Sequence, residues 1–97
     1  METKHTKVEW EYKSADYSYL VRTKETKFYI ATIEGQSGES KTNARLIATA
    51  PELLEHLILL IDRMEENGLG HMSAVTRSIE IVERATGMKY ERTPNFK

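Results

Sequence analysis

The side chains best suited to chemistry in this chain are three histidines, His5, His56 and His71, and none stands in a spacing that builds a site. A metal on one helical face needs two imidazoles in an HExxH or His-x-x-x-His pattern, and neither occurs. Glu52 and His56 lie four apart and can share a helix face, but one carboxylate and one imidazole make half a ligand set, so a surface pair is expected. His71 follows Gly68-Leu69-Gly70, a loop able to present an imidazole, yet the sequence pairs it with no nucleophile and no orienting acid. Gly35 and Gly38 are three apart with no Gly-Lys-Ser or Gly-Lys-Thr after them, and Gly68-Leu69-Gly70 has no strand before it. Both read as turns, not as phosphate cradles. The absence of cysteine excludes disulfides, thiolate nucleophiles and Cys-ligated zinc. No catalytic residue, metal ligand or cofactor is expected.

Charge narrows the partner classes. Fourteen Lys and Arg against fifteen Asp and Glu leave no whole-molecule field to draw the protein to nucleic acid or an acidic membrane. Charge is unevenly spread, however. Glu52, Glu55, Asp62, Glu65 and Glu66 crowd one stretch against Arg63, while Arg77, Arg84, Lys89, Arg92 and Lys97 gather near the end against Glu80, Glu83 and Glu91. The basic stretch could meet phosphates, but its interspersed glutamates oppose that, so solvated helix surface is the reading preferred for both clusters. The N-terminal METKHTKVEW is polar where a secretory signal needs an apolar run. The most apolar window, Leu53 to Ile61, is nine residues long and includes His56, against about 20 for a membrane-spanning helix.

Ninety-seven residues fit one domain with one modest core. From Val8 to Glu34 the pattern is strand-like: Val8, Trp10 and Tyr12 alternate with Glu9 and Glu11, and Tyr17, Tyr19 and Val21 with Ser18 and Arg22. Lys13-Ser14-Ala15-Asp16 and Thr23-Lys24-Glu25-Thr26 separate the runs, which predicts an antiparallel meander of about 8–13, 17–23 and 26–34. The third run is apolar on both faces, as a central or doubly covered strand would be. Trp10, Tyr12, Tyr17, Tyr19, Phe28 and Tyr29 all fall here; base stacking is conceivable, but Glu9 and Glu11 flank Trp10, and packing within the sheet is expected.

After Gly35-Gln36-Ser37-Gly38 everything reads as helix. A first helix is expected over about 39–48. Thr49-Ala50-Pro51-Glu52 has the form of a capping box with proline in the first turn, which predicts a second helix over about 50–67 ending at Asn67-Gly68. In that helix Leu60, Leu53, Met64, Leu57, Ile61, Leu54 and Ile58 share an arc of roughly 160°, and Leu59 lies outside it between Glu55 and Arg63. The preferred reading is a central helix, covered by the sheet on one side and the last helix on the other. The sharper one makes Leu54, Ile58 and Leu59, with Glu55 and Arg63, a subunit or partner interface. A third helix over about 72–86 is stopped by Gly87, with Met72, Val75, Ile79 and Val82 as its apolar stripe. The segment 89–97 is expected to be a flexible tail unless Tyr90 or Phe96 docks.

Two segments carry a family resemblance. Thr42-Asn43-Ala44-Arg45-Leu46-Ile47-Ala48-Thr49-Ala50-Pro51-Glu52-Leu53-Leu54, preceded by His5-Thr6 and Trp10, resembles a group of short bacteriophage and prophage proteins. These begin with a His-Thr-Pro-Gly-Pro-Trp-like segment and continue through a small β-meander into an Ala-Asn-Ala-Arg-Leu-Ile-Ala-Ala-Ala-Pro-Glu-Leu-Leu-like helix. The resemblance spans about residues 5–60 and implies phage origin and life in the bacterial cytoplasm; it brings no catalytic residues. Asn43 and Arg45 are not needed for burial, and a polar bridge from helix to sheet is expected, Arg45 pairing with a carboxylate such as Glu34.

The expected fold is therefore α+β: a three-stranded antiparallel meander packed against two or three helices, with homodimerisation through the second. The expected function is that of a non-enzymatic phage accessory protein that binds a macromolecular partner, such as a host defence or replication component. The alternative is a nucleic-acid-binding regulator using Arg77, Arg84, Lys89 and Arg92.

Overall fold

The computed structural model describes residues 1–91, so residues 92–97 of the expected tail, Arg92 and Phe96 among them, lie outside the described residues. Three strands, β1 (Trp10–Ser14), β2 (Ser18–Thr23) and β3 (Tyr29–Glu34), precede two helices, α1 (Gly38–Glu66) and α2 (Ser73–Thr86). Contacts divide the chain into two compact units, Thr6–Glu52 and Met1–His5 with the chain from Leu53 onward. The buried side chains form two clusters, where length alone suggested one core.

In the unit Thr6–Glu52 the sheet is an antiparallel meander in the order β1-β2-β3. The expected strand count and pairing hold, with β1 starting at Trp10 and Val8 left exposed before it. The third run is not central: β2 is, and its alternation of half-buried and buried residues shows one face turned inward. Tyr19 and Val21 on that face meet Ala44 of α1, with Trp10, Tyr12, Ile33, Ile47 and Ala48 packed around them. The register slips between Val21, opposite Ala31, and Arg22, opposite Tyr29, so Ile30 is an extra residue in β3. This bulge explains why β3 reads as apolar on both faces, because Ile30 and Ala31 both pack against the buried cluster.

Thr23 closes the β2–β3 turn from inside. Its side chain is buried, accepts the Phe28 N–H at 2.8 Å and lies 2.6 Å from the Thr26 hydroxyl, so burying the hydroxyl leaves no orphaned polar atom. The turn holds Lys27 at φ 62, a left-handed conformation uncommon for a residue with a side chain. On the outward face, Arg22 Nε donates to Glu11 Oε2 at 2.7 Å and Lys27 Nζ donates to the same oxygen at 3.1 Å. The Arg22 hydrogen bond first, and the Lys27 bond after it, hold the Glu11 carboxyl below the usual carboxylate range.

In the other unit, Ile58 and Ile61 of α1 meet Val75 and Val82 of α2, with Met1, Leu54, Leu57, Met64, Ile79 and Tyr90 packed around them. The end of α1 is a Schellman motif: Gly68 at φ 75 donates to the Glu65 carbonyl and Leu69 N–H reaches the Met64 carbonyl at 2.9 Å. The bounds of α2 match expectation, with Gly87 in the left-handed cap donating to the Glu83 carbonyl at 2.8 Å. Beyond it Tyr90 is docked: its hydroxyl donates to the buried Asp62 carboxylate and its N–H to Glu83 Oε2 at 3.0 Å.

The main correction concerns α1. It runs unbroken from Gly38 to Glu66 with Pro51 inside it, so the expected break and the Thr49–Glu52 capping box do not form. Thr49 donates its hydroxyl back to the Arg45 carbonyl at 2.8 Å, as a mid-helix threonine does, and Glu52 is exposed. The start lies earlier, where the Ser37 hydroxyl accepts the Ser40 N–H at 3.1 Å. A proline inside a helix costs about 3 kcal/mol. Burial of Ile58 and Ile61 on one side of Pro51, with Ala44 and the partly buried Ile47 and Ala48 on the other, outweighs that penalty, because each fully buried isoleucine contributes about 1.5–3 kcal/mol. Within their own units, sheet residues gather on 44–48 and α2 on 54–64, while Leu53 and Leu60, expected within the buried arc, are exposed.

Pro51→Ala is expected to stabilise the protein by about 1–2 kcal/mol in urea denaturation, since it restores a helix bond and relieves a clash against a smaller gain in unfolded-state entropy. A helix starting at Pro51 would instead lose stability or stay unchanged. Glu11 generates a pH prediction. Its lowered folded pKa makes a contribution that is present above the unfolded-chain value of about 4.3 and is lost as pH falls through the folded value. Urea midpoints of the wild type should therefore drop more between pH 5 and strong acid than those of Glu11→Gln.

Candidate functional site

The surface of α1 places most of the residues singled out in the sequence. In the unit Thr6–Glu52, Ala44 points into the core while its neighbours Asn43, Arg45 and Leu46 are exposed. The expected bridge to the sheet is not made: neither Asn43 nor Arg45 forms a side-chain hydrogen bond or ion pair among the described residues, and the Glu34 carboxylate is likewise unpaired. The helix turns both side chains to water because only the positions of Ala44, Ile47 and Ala48 face the sheet.

In the other unit the helix shows a mixed surface. Ile58 is buried and Leu54 half-buried, so these two expected interface residues belong to the core. Leu53, Leu59 and Leu60 are 53, 48 and 59 % exposed. Leu53 and Leu60 are seven apart and share one row, about 10 Å along the axis; Leu59 is turned roughly 100° from Leu60. His56 and Arg63 fall between them at helical spacing, and both are exposed. Glu55, also exposed, lies 4.0 Å from His5 Nε2.

The histidines disperse. His56 is exposed and makes no pair with Glu52, and His71 is exposed with no hydrogen bond or ion pair. His5 alone is held: its Nδ1 lies 2.6 Å from the hydroxyl of the buried Thr3, and its other nitrogen faces Glu55. The sequence treated Met1 to His5 as a polar lead-in; Met1 and Thr3 being buried or half-buried there had no periodic signal, because five residues hold too short a pattern. Among the described residues, no three His, Asp or Glu side chains come together to hold a metal.

The basic candidates are spread over α2 and its continuation. Arg77 is 3.9 Å from Glu80, and both line a surface depression with Ser73, Ala74 and Thr76. Arg84 and Lys89 are exposed, and Arg92 lies outside the described residues. The aromatics divide: Tyr19 is buried, with its ring centroid 6.4 Å from that of Tyr12, whereas Tyr17 and Phe28 beside the turns and Tyr29 at the start of β3 are exposed. No helix among the described residues is long and apolar enough to cross a membrane.

Residues 1–89 match the family described as Salmonella phage P22 protein Y8K6, and the chain belongs to that family. No match was found among curated proteins or among solved structures. The family extends over β1 to α2 and so takes in the second helix, beyond the segments in which the sequence resemblance was read.

Because the exposed side chains of Asn43 and Arg45 make no hydrogen bond or ion pair among the described residues, Asn43→Ala and Arg45→Ala are each expected to change stability by no more than about 0.5 kcal/mol in urea denaturation. Loss of more than about 1 kcal/mol from either would mean that the polar bridge exists.

Proposed function

We propose that this chain is a non-enzymatic phage accessory protein that acts by binding a protein of the infected cell through Leu53, Leu59 and Leu60 of α1, a host defence component being the fitting kind of target. The observation that carries this reading is the concentration of half-exposed leucines on a helix whose adjacent isoleucines are buried. Single exposed leucines are ordinary; several on one helix surface, rimmed by His56, Arg63 and Glu55, are characteristic of docking sites. Burying the remaining exposed half of each contributes about 1 kcal/mol, or about 3 kcal/mol together. That falls short of the association cost of about 4 kcal/mol or more, so the charged rim must add hydrogen bonds or ion pairs with the target. Arg63 and His56 have side chains free for that purpose.

Leu60→Asp tests the reading. Helical circular dichroism and urea midpoint are expected to stay near wild type, whereas Ile61→Asp, one residue on and buried, unfolds its unit. Immobilised wild-type chain should retain a host protein that Leu60→Asp and Leu59→Asp hold at least about tenfold more weakly. Identical retention by wild type and both variants would overturn the proposal.

A further inference from the structure

We propose that β3 is the site at which a second copy of this chain adds its own β3, joining two three-stranded sheets into one of six strands. This goes beyond the reading above and uses a different surface. The sheet has two edges, and they are unlike. The edge strand β1 carries Glu11 and Lys13, charges of the kind that discourage strand addition. The other edge, β3, presents Ile30-Ala31-Thr32-Ile33 with no charge, no proline and no glycine, the bulge at Ile30 falling at the centre of the pairing.

The residues flanking this segment make it self-complementary. A two-fold axis between Ile30 and Ala31 sets antiparallel β3 strands so that Ile30 meets Ala31, Tyr29 meets Thr32, Phe28 meets Ile33 and Lys27 meets Glu34 of the second copy. Tyr29 and Thr32 stand across from Arg22 and Leu20 of β2, and both are exposed, so they suit one another as an aromatic and a β-branched neighbour. At each end a lysine meets a glutamate. Glu34 has no side-chain partner in the single chain, and Lys27 can turn from Glu11 to Glu34 of the second copy while Arg22 stays 2.7 Å from Glu11. The Phe28 side chain is 69 % exposed in the single chain, and in this pairing it gains a facing residue.

Light scattering over a concentration series, with hydrogen exchange of the β3 amides, tests this. Wild type should rise from 11.2 kDa to twice that mass, with β3 protection appearing together with the rise. Glu34→Lys and Lys27→Glu should each dimerise about tenfold more weakly, because both ends of the pairing then oppose like charges. An equimolar mixture of the two variants restores opposite charges at both ends, and should recover the wild-type dimer; that recovery also shows that both variants are folded. Leu60→Asp should dimerise as wild type does, which separates this result from the fate of the α1 proposal. A wild type monomeric throughout, a mixture no stronger than either variant, a dimer lost only with Leu60→Asp, or β3 protection gained only on addition of a different protein would each overturn it.

Discussion

The continuation of α1 past Pro51 is the constraint on which the remaining structure depends. The helix must give up the bond from position 51 to the Ile47 carbonyl and accommodate the proline ring, yet it continues for fifteen residues to Glu66. It does so because both flanks are fixed by burial, Ala44, Ile47 and Ala48 under the sheet residues Tyr19 and Val21, and Ile58 and Ile61 against Val75 and Val82. Local preference at Thr49-Ala50-Pro51-Glu52 favours a fresh start; tertiary packing decides otherwise.

The three buried polar residues Thr3, Thr23 and Asp62 each have a hydrogen-bond partner. Thr23 accepts the Phe28 N–H, Asp62 accepts the Tyr90 hydroxyl, and Thr3 lies against His5. With so few fully buried apolar side chains per unit, these hydrogen bonds select among packings of similar apolar area, since any arrangement that leaves one group unpaired costs about 1–3 kcal/mol. That is why a turn, a chain end and the segment after α2 are held in place without regular secondary structure.

Much of this was legible in the residue order. Alternation fixed the three strands, Gly68 and Gly87 marked two helix ends, and the step from period two to period 3.6 placed the helices after Gly35. The β3 reading failed because a bulge at Ile30 imitates a strand apolar on both faces. The arc of seven apolar residues in α1 failed for a related reason: periodicity tells which residues share a side, not how much of that side a 14-residue helix can cover, and α2 covers Ile58 and Ile61 but leaves Leu53 and Leu60. Of the candidate interface, Leu59 was legible as the apolar residue out of phase. The polar bridge through Arg45 was not, since pairing requires two side chains to point at one another, and sequence separation carries no such information. Long-range contacts such as Tyr90 with Asp62 leave no local pattern at all.

The assignment of Met1 to His5 to the same unit as Val75 and Val82 bears on synthesis. The unit Thr6–Glu52 is one continuous stretch, and all its packing partners exist once Glu52 has been joined to the growing chain. Met1 and Thr3 precede that stretch in the chain, yet must wait for Val75 and Val82 of α2 before their burial site exists. Closing a loop of that length costs little more than closing a short one, because the entropy rises only with the logarithm of length. It cannot begin early, however. Residues ahead of the meander in the chain find their place after it.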